Sequence, residues 1–403
     1  MTTARRSAAA LAVSAVLSVA VATAAPAAFA APTPSPAGKL PAGLYGTGDP
    51  TYDGVWRQSL ALLAQDTAGV RPAAQAVEWL TGQQCDSGAY ASYRADTTAP
   101  CGPKLPLDSN ATAAAVQALA ALGGEEKAVE ESVGWLKAVQ NPDGGWGYNP
   151  GGASDANSTS VVIGALAAAG ETPEDVLSKD GQSPYDALLT FARPCGGKNG
   201  GAFVFQPKQP GIVADSTAAA VVAAKGEGMV VRTDVKDVRG RSCGPSKTVQ
   251  GAAHNGAAYL GAALAKTGYL TTPPMPGSDD PAEKPDHGNT ADAVVALSAQ
   301  GMAEQVKKPL AWLERNAADW AEESGPAAYA QLILAAEAAG ADPSKFGKTD
   351  LVAALNATGP EPRKESAAKD GDSGGGTWWF VGAGAAALVG VGVLFGGRRR
   401  SQR

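Results

Sequence analysis

Histidine and cysteine are scarce in this sequence. Its 403 residues contain two histidines, His254 and His287, and four cysteines that form no CxxC pair. Zinc sites are built from closely spaced cysteine and histidine ligands, so the composition predicts no metal site. No serine stands in a recognisable motif with a histidine partner, which leaves a Ser-His-Asp hydrolase without support. We therefore expect neither a metal nor a cofactor.

Basic residues are outnumbered by acidic ones. The chain has 33 lysines and arginines against 39 aspartates and glutamates, a formal net charge of -6. Six of the arginines belong to the terminal segments described next, so the remaining chain carries about twice that negative charge. Proteins that bind nucleic acids need clustered lysines and arginines to neutralise phosphates. The charge balance argues against a nucleic-acid partner and favours an acidic, well-solvated exterior.

Acidic residues are missing altogether from both chain ends. Arg5 and Arg6 precede an apolar run that ends in small residues, the order typical of a secretory signal peptide. The stretch 378–395 is uncharged and is followed by four arginines, as in a membrane helix whose basic end lies in the cytoplasm. We expect an exported domain anchored in the cell membrane. The expected segments are signal peptide 1–30, Pro-rich leader 31–50, folded domain 51–358, polar stalk 359–376, transmembrane helix 377–397 and basic tail 398–403.

The four cysteines of an exported chain are expected to form two disulfide bonds. Three pairings are possible. Cys85 and Cys101 flank one loop, whereas Cys195 and Cys243 lie further along the chain. The economical pairing is therefore Cys85 with Cys101 and Cys195 with Cys243.

A repeated pattern runs through the domain: an apolar helical stretch, a loop of glycines and aromatic residues, and a second helical stretch rich in Ala, Val and Leu. Gly88, Gly145 and Gly201 mark equivalent loop positions roughly 56 residues apart. The second stretches are apolar on all sides, so we expect them to be buried inner helices. The first stretches have one charged and one apolar face, so we expect them to be outer helices that cover the inner ones. The pattern predicts inner helices near 53–66, 109–122, 157–169, 215–225, 289–301 and 326–340, and outer helices near 71–83, 125–140, 183–193, 250–267, 304–318 and 347–357.

Six alternating pairs predict an all-α fold, an (α/α)6 toroid in which a ring of outer helices surrounds a ring of inner helices. Each predicted inner helix begins with capping residues and most end at glycine. Four threonines fall in register on these helices: Thr112, Thr159, Thr217 and Thr290. The register is least regular near 227–250 and 268–288.

The segment "WLKAVQNPDGGWGYNP" followed by "DANSTSVVIGALAAAG" resembles the repeat of the terpenoid cyclase and protein prenyltransferase superfamily, known from squalene cyclases as the QW repeat. The resemblance implies an α/α toroid. The catalytic motifs of the family are not recognisable: "GSDDP" at Asp279 and Asp280 lacks the first Asp of a DxDD acid motif, and neither DDxxD nor the zinc ligands of prenyltransferases are found. The cobalamin carriers and the thioester domain of complement share such a toroid, but the GCGEQ thioester sequence is absent.

Two sets of residues are candidates for a binding site at one end of the toroid. The aromatic residues of three successive loops either pack across helix junctions or form a rim for a ligand. The acidic residues before the inner helices either cap them or crowd together so that they share protons or bind a cation. The candidate rim consists of Tyr90, Tyr93, Trp146, Tyr148, Phe203, Phe205, Asp108, Asp155, Asp215 and Asp286.

The expected function is binding without catalysis, at the mouth of a surface-displayed toroid. The expected partner is a small molecule, such as a cobamide or an isoprenoid, or an envelope protein. Two alternatives are a terpenoid cyclase-like enzyme and a structural surface scaffold.

Overall fold

The computed structural model describes residues 41–211, 213–231, 242–272 and 282–364. By its contacts the chain divides into residues 1–364 and residues 365–403, and only the first of these units contains described residues. The expected signal peptide, transmembrane helix and basic tail lie outside the described residues, as do Asp279 and Asp280. Within the described ranges, no helix is both long and apolar enough to cross a membrane.

The described residues are mainly helical and contain one small antiparallel strand pair. Leu270 of the first strand lies opposite Asp286 of the second. The elements are α1 (Gly54–Thr67), α2 (Ala74–Gly82), α3 (Ser109–Leu122), α4 (Glu126–Ala138), α5 (Ala156–Ala168), α6 (Pro184–Phe191), α7 (Val213–Ala223), α8 (Val249–Leu264), β1 (Leu270–Thr272), β2 (Lys284–Asp286), α9 (His287–Ala299), α10 (Ala303–Asn316), α11 (Ala318–Ser324), α12 (Pro326–Ala338) and α13 (Leu351–Ala357).

Six helices close a ring of contacts. Helix α1 packs against α3, α3 against α5, α5 against α7, α7 against α9, α9 against α12, and α12 against α1. Each of these inner helices also packs against the outer helix that follows it: α2, α4, α6, α8, α10 or α13. Because each outer helix returns the chain to the same end, the inner helices run parallel and their N-termini share one end of the ring.

The twelve predicted helical segments all overlap helices of the structure, so the mainly helical architecture is confirmed. Two features were not predicted. Helix α11 follows α10 closely and is separated from α12 by Gly325, and Pro326 is the first residue of α12. The β1–β2 pair lies in the irregular stretch 268–288, where strands of three residues are too short to show an alternating pattern.

The threonines in register attach each loop to the inner helix that follows it. Each has a fully buried side chain that accepts a hydrogen bond from a loop N–H, and a buried N–H needs such a partner. The four bonds run from Tyr90 N to Thr112 Oγ1 at 2.9 Å, from Trp146 N to Thr159 Oγ1 at 3.1 Å, from Phe203 N to Thr217 Oγ1 at 3.0 Å and from Leu270 N to Thr290 Oγ1 at 3.0 Å.

Residues 226–231, here called the plug segment, cross the ring beyond the end of α7. The backbone N–H of Met229 donates to Gln117 Oε1 of α3 at 2.8 Å, although α3 is not a neighbour of α7 in the ring. Gly228 lies so close to α3 and α5 that an added Cβ would be 2.2 Å from Gln117 Oε1 and 3.3 Å from the carbonyl oxygen of Gly164. Just before the segment, the Lys225 ammonium donates to the carbonyl of Ala299, the last residue of α9. The plug segment therefore contacts α3 and α5 in the half of the ring that contains the helix C-termini.

Candidate functional site

The loop between α4 and α5 is held at both ends by side chains of its own motif. The Trp146 indole N–H donates to the carbonyl of Leu136 in α4 at 2.8 Å. The Gln140 amide donates to the carbonyl of Gly144 at 2.8 Å and to that of Val176 at 3.2 Å. Gly144 has a φ of 88°, and a Cβ there would lie 2.2 Å from the carbonyl oxygen of Ser183, the N-cap of α6. The motif thus joins three successive helices, which is an architectural role.

Three of the six aromatic residues expected at the rim are buried. Trp146 is 1% exposed, and Tyr90 and Phe203 have no exposed surface. The reason is that each precedes an inner helix and turns its ring into the space between inner and outer helices. These three residues belong to the core and are not available to a ligand at the rim.

The remaining rim aromatics keep accessible surface. Tyr93 and Phe205 are partly exposed, and Tyr148 is 44% exposed. Tyr52, which was not among the predicted residues, is 84% exposed and lies two residues before the start of α1. These aromatic side chains lie at the end of the ring that carries the inner-helix N-termini.

Three of the four predicted acidic residues cap inner helices. Asp108 accepts hydrogen bonds from the backbone N–H groups of Asn110 and Ala111, at 2.8 and 2.9 Å. Asp155 accepts from Ser158 N at 2.8 Å, and Asp286 accepts from Asn289 N at 2.9 Å. These bonds satisfy free N–H groups of the first helical turn and account for the presence of the three carboxylates.

Asp215 is different, because it lies inside α7, which begins at Val213. Its carboxylate accepts a short hydrogen bond from the side-chain amide of Asn157 on the neighbouring helix α5. Protein surrounds Asp215 on most sides, yet the residue keeps accessible surface. Its carboxylate is therefore largely enclosed where α5 and α7 pack together.

The sequence did not single out Asp292 and Gln331, which meet across the next pair of inner helices. Gln331 of α12 donates from Nε2 to both carboxylate oxygens of Asp292 of α9, each at 2.9 Å. Both residues keep accessible surface and are otherwise enclosed. Asn157, Asp215, Asp292 and Gln331 thus come from four inner helices to one end of the ring, and are called here the acidic recess. A charged residue within the apolar run "TADAVVALSA" is the signal that could have identified Asp292.

The carboxyls of this region have raised pKa values. Burial is the main cause, and the carboxyl groups reinforce one another. Burial raises the pKa of Asp155 to about 6, with a contribution from Asp215, and raises that of Asp215 to about 6, with a contribution from Asp286. For Asp292, burial together with the Asp215 and Asp286 carboxylates raises the pKa to about 7. No lysine or arginine contributes to these three shifts.

A column of four aromatic rings stands beside the recess. Tyr269 stacks on Trp312 with ring centroids 4.7 Å apart. His287 lies between Trp312 and Trp320, at centroid distances of 4.9 and 5.4 Å. Burial lowers the pKa of His287, which favours the neutral imidazole. The four residues, Tyr269, Trp312, His287 and Trp320, are called the aromatic column.

Other features of the described residues give weaker support for a ligand site than the acidic recess and the aromatic column. No group of three or more His, Cys, Asp or Glu side chains in these ranges is arranged to hold a metal ion. A surface cavity of about 300 Å³ lies beside Arg193 and Lys198, and one of about 170 Å³ lies beside Tyr93 and Arg94. Both are next to the disulfide-bonded loops and neither is lined by the acidic recess. The two disulfides join Cys85 to Cys101 and Cys195 to Cys243, which confirms the predicted pairing.

Comparisons with known proteins give structural likenesses alone. No protein-family profile matches the chain, and no curated protein sequence does. An ent-copalyl diphosphate synthase from Streptomyces platensis is 18% identical with a TM-score of 0.47, over 71% of this chain and 50% of that one. The chain thus spans about half the length of that synthase.

Two further solved structures are similar to a comparable degree. A protein from Actinoplanes is 15% identical with a TM-score of 0.47, over 74% of this chain and 92% of that one. A type II terpene cyclase from Scytonema, solved with geranylgeranyl dihydroxybenzoate, is 18% identical with a TM-score of 0.43, over 72% of this chain and 79% of that one. Neither these identities nor the TM-scores, all below 0.5, establish membership of a family.

Proposed function

We propose that the protein binds a small molecule in the acidic recess and does not transform it. The observation that carries the proposal is the meeting of Asn157, Asp215, Asp292 and Gln331, one polar side chain from each of four inner helices, beside the aromatic column. A ring built mainly of alanine, valine and leucine has no packing need for such groups. A few convergent polar groups with an apolar wall are the usual composition of a ligand site.

The charge of the recess restricts the ligand. Since no lysine or arginine contributes to the pKa values of Asp215 and Asp292, a polyanion such as a prenyl diphosphate would be repelled. A neutral isoprenoid or an amide-rich cobamide meets no such repulsion.

The proposed location is the cell surface. The two disulfides support an oxidising compartment, because cysteine thiols are kept reduced in the cytosol and rarely form disulfides there. Display by a membrane anchor rests on the signal-like and anchor-like terminal segments of the sequence.

The test is an inventory of small molecules that co-purify with the full-length protein isolated from membranes, followed by addition of each one to ligand-free protein. A ligand should raise the unfolding temperature of the wild type and should do so much less in Asp292→Asn. The matched control is Asp319→Asn, since Asp319 is exposed on α11. A ligand that stabilises wild type and Asp292→Asn equally would place its site elsewhere.

The second candidate function is acid catalysis of isoprenoid cyclisation, and one observation favours it. With a pKa of about 7, Asp292 is protonated in much of the population at neutral pH, as a carboxyl that protonates an alkene must be. Incubation with neutral polyprenyl substrates and product analysis by mass spectrometry tests this function. Cyclised product that disappears in Asp292→Asn and persists in Asp319→Asn would favour the enzyme over the binding protein.

A further inference from the structure

The aromatic column and the acidic recess are parts of one wall. A Cβ placed on Gly288 would lie 3.3 Å from Gln331 Oε1 and 3.7 Å from Trp320 Cζ2. Gln331 in turn donates to Asp292. Trp320, at the end of the column, therefore lies close to the Gln331 amide group that holds the Asp292 carboxylate.

The column is held by the β1–β2 pair and by α9. Pairing of Leu270 with Asp286 sets the neighbouring residues Tyr269 and His287 side by side. The Thr272 hydroxyl also donates to the Asp286 carboxylate at 2.6 Å, which fixes the start of α9. The imidazole of His287, sandwiched between two indoles, keeps the rings in a fixed order. Trp312 and Trp320 are both partly exposed, so their rings remain accessible.

Aromatic faces and uncompensated carboxylates select the same kind of ligand. Indole faces attract cations through the ring quadrupole, and Trp is the most effective side chain for this purpose. Carboxylates attract the same charge, and an apolar wall suits the alkyl groups around a quaternary nitrogen. Neither feature offers anything to an anion.

We propose that the ligand of the acidic recess is an organic cation whose ammonium group lies between Asp292 and Trp320. This inference rests on the proposed function and narrows it to one ligand class. The column contacts the alkyl substituents of the nitrogen, and the recess supplies the negative charge. The carboxylates of Asp215 and Asp286 lie near Asp292 and strengthen the attraction.

The experiment measures binding of choline to the full-length protein by calorimetry, beside its uncharged carbon isostere 3,3-dimethylbutan-1-ol. The two probes have the same shape and differ in charge. We expect the isostere to bind at least about tenfold more weakly, the loss typical of a desolvated cation–π and ion-pair contact. Phosphocholine is the third probe. If the ligand is a free organic cation, repulsion of the phosphate should make phosphocholine bind more weakly than choline. If phosphocholine binds as tightly as choline, the ligand is a lipid headgroup.

The variants assign the contact to its residues. Asp292→Asn and Trp320→Leu should each lower the affinity for choline. Trp320→Phe keeps an aromatic face and should lower the affinity less than Trp320→Leu, which separates loss of the aromatic contact from a general loss of the fold. Asp319→Asn, next to Trp320 in sequence and exposed, should change nothing. Equal affinities for choline and the isostere would overturn the inference. If a co-purified neutral molecule binds in an Asp292-dependent way and choline does not, the inference fails while the proposed function stands. If neither binds, both fail.

Discussion

Asp292 of α9 and Gln331 of α12 are joined by hydrogen bonds of 2.9 Å from one amide nitrogen to both carboxylate oxygens. The pair links two neighbouring inner helices where the ring encloses the acidic recess. Because burial raises the pKa of Asp292 from an ordinary 3.8 to about 7, the charge of this link changes in the physiological range.

The first prediction concerns pH and stability. A carboxyl with a raised pKa binds its proton more tightly in the folded state, so folding is most favoured at low pH and stability falls as pH rises from about 4 through 7. Asp155 and Asp215, both with a pKa of about 6, act in the same direction. We expect the unfolding temperature of Asp292→Asn to fall less than that of the wild type between pH 5 and pH 8. Differential scanning calorimetry across this range checks the prediction, with Asp319→Asn as control. Parallel curves for Asp292→Asn and the wild type would show that Asp292 does not titrate in this window.

The second prediction concerns the junction motif. Trp146→Phe removes the indole N–H that donates to Leu136 and leaves a buried carbonyl without this partner. Loss of a partner for a buried polar group costs roughly 1–3 kcal/mol. Urea unfolding should show a decrease of about that size. Trp135→Phe, at a partly exposed position of α4, is the matched control and should be close to neutral. Equal effects would mean that ring size and not the hydrogen bond matters.

The third prediction concerns the plug segment. Gly228→Ala places a methyl group 2.2 Å from Gln117 Oε1, so the segment or the Gln117 side chain must shift. Because the two nearest atoms belong to the end of the Gln117 side chain, the main cost is the weakening of its hydrogen bond to Met229, about 1 kcal/mol. Hydrogen exchange of the Met229 amide, which donates to Gln117, should become faster in the variant. Gly244→Ala is the control because no atom lies within 4 Å of its Cβ position. Unchanged protection of the Met229 amide would contradict the close approach.

The fourth prediction concerns the disulfides. Chain-entropy estimates give about 3 kcal/mol for a loop closed by cysteines 16 residues apart and about 4 kcal/mol for a separation of 48. Replacing Cys195 and Cys243 together by serine should therefore lower stability somewhat more than replacing Cys85 and Cys101. Chemical denaturation of the two double variants makes the comparison. Peptide mapping under non-reducing conditions checks the pairing, and a mixed pairing would contradict the structure.

Much of the architecture could be predicted because its signals are local. Runs of Ala, Val and Leu between capping residues and glycines mark the inner helices, and the charged faces of "EEKAVEESVGWLKAVQ" mark an outer one. Thr112, Thr159, Thr217 and Thr290 could be aligned by counting, and all four accept the same kind of hydrogen bond in the structure. The pairing of four cysteines had few alternatives.

The acidic residues of the candidate site could be predicted only in part. Asp108, Asp155 and Asp286 were recognisable from their position before helices, but a cap and a ligand-binding carboxylate look alike in sequence. Asp215 was among the expected residues, but as a residue before its helix, whereas it lies inside α7. Asp292 lies inside α9 and was not singled out, because no local rule says which side of a helix faces the middle of a ring. The aromatic loop residues were equally ambiguous, since a glycine-rich loop is compatible with a buried or an exposed ring.

The sequence by itself determined where most of the helices lie, that they alternate in burial, and that the four cysteines would form two disulfides, because periodicity, capping and cysteine number act over a few residues or leave few choices. Tertiary structure alone decided that Trp146 is buried against Leu136, that Asp292 meets Gln331 39 positions away along the chain, and that His287 lies between two tryptophans. Each of these depends on how helices and the loops between them pack against one another, which the local pattern of residue types does not specify.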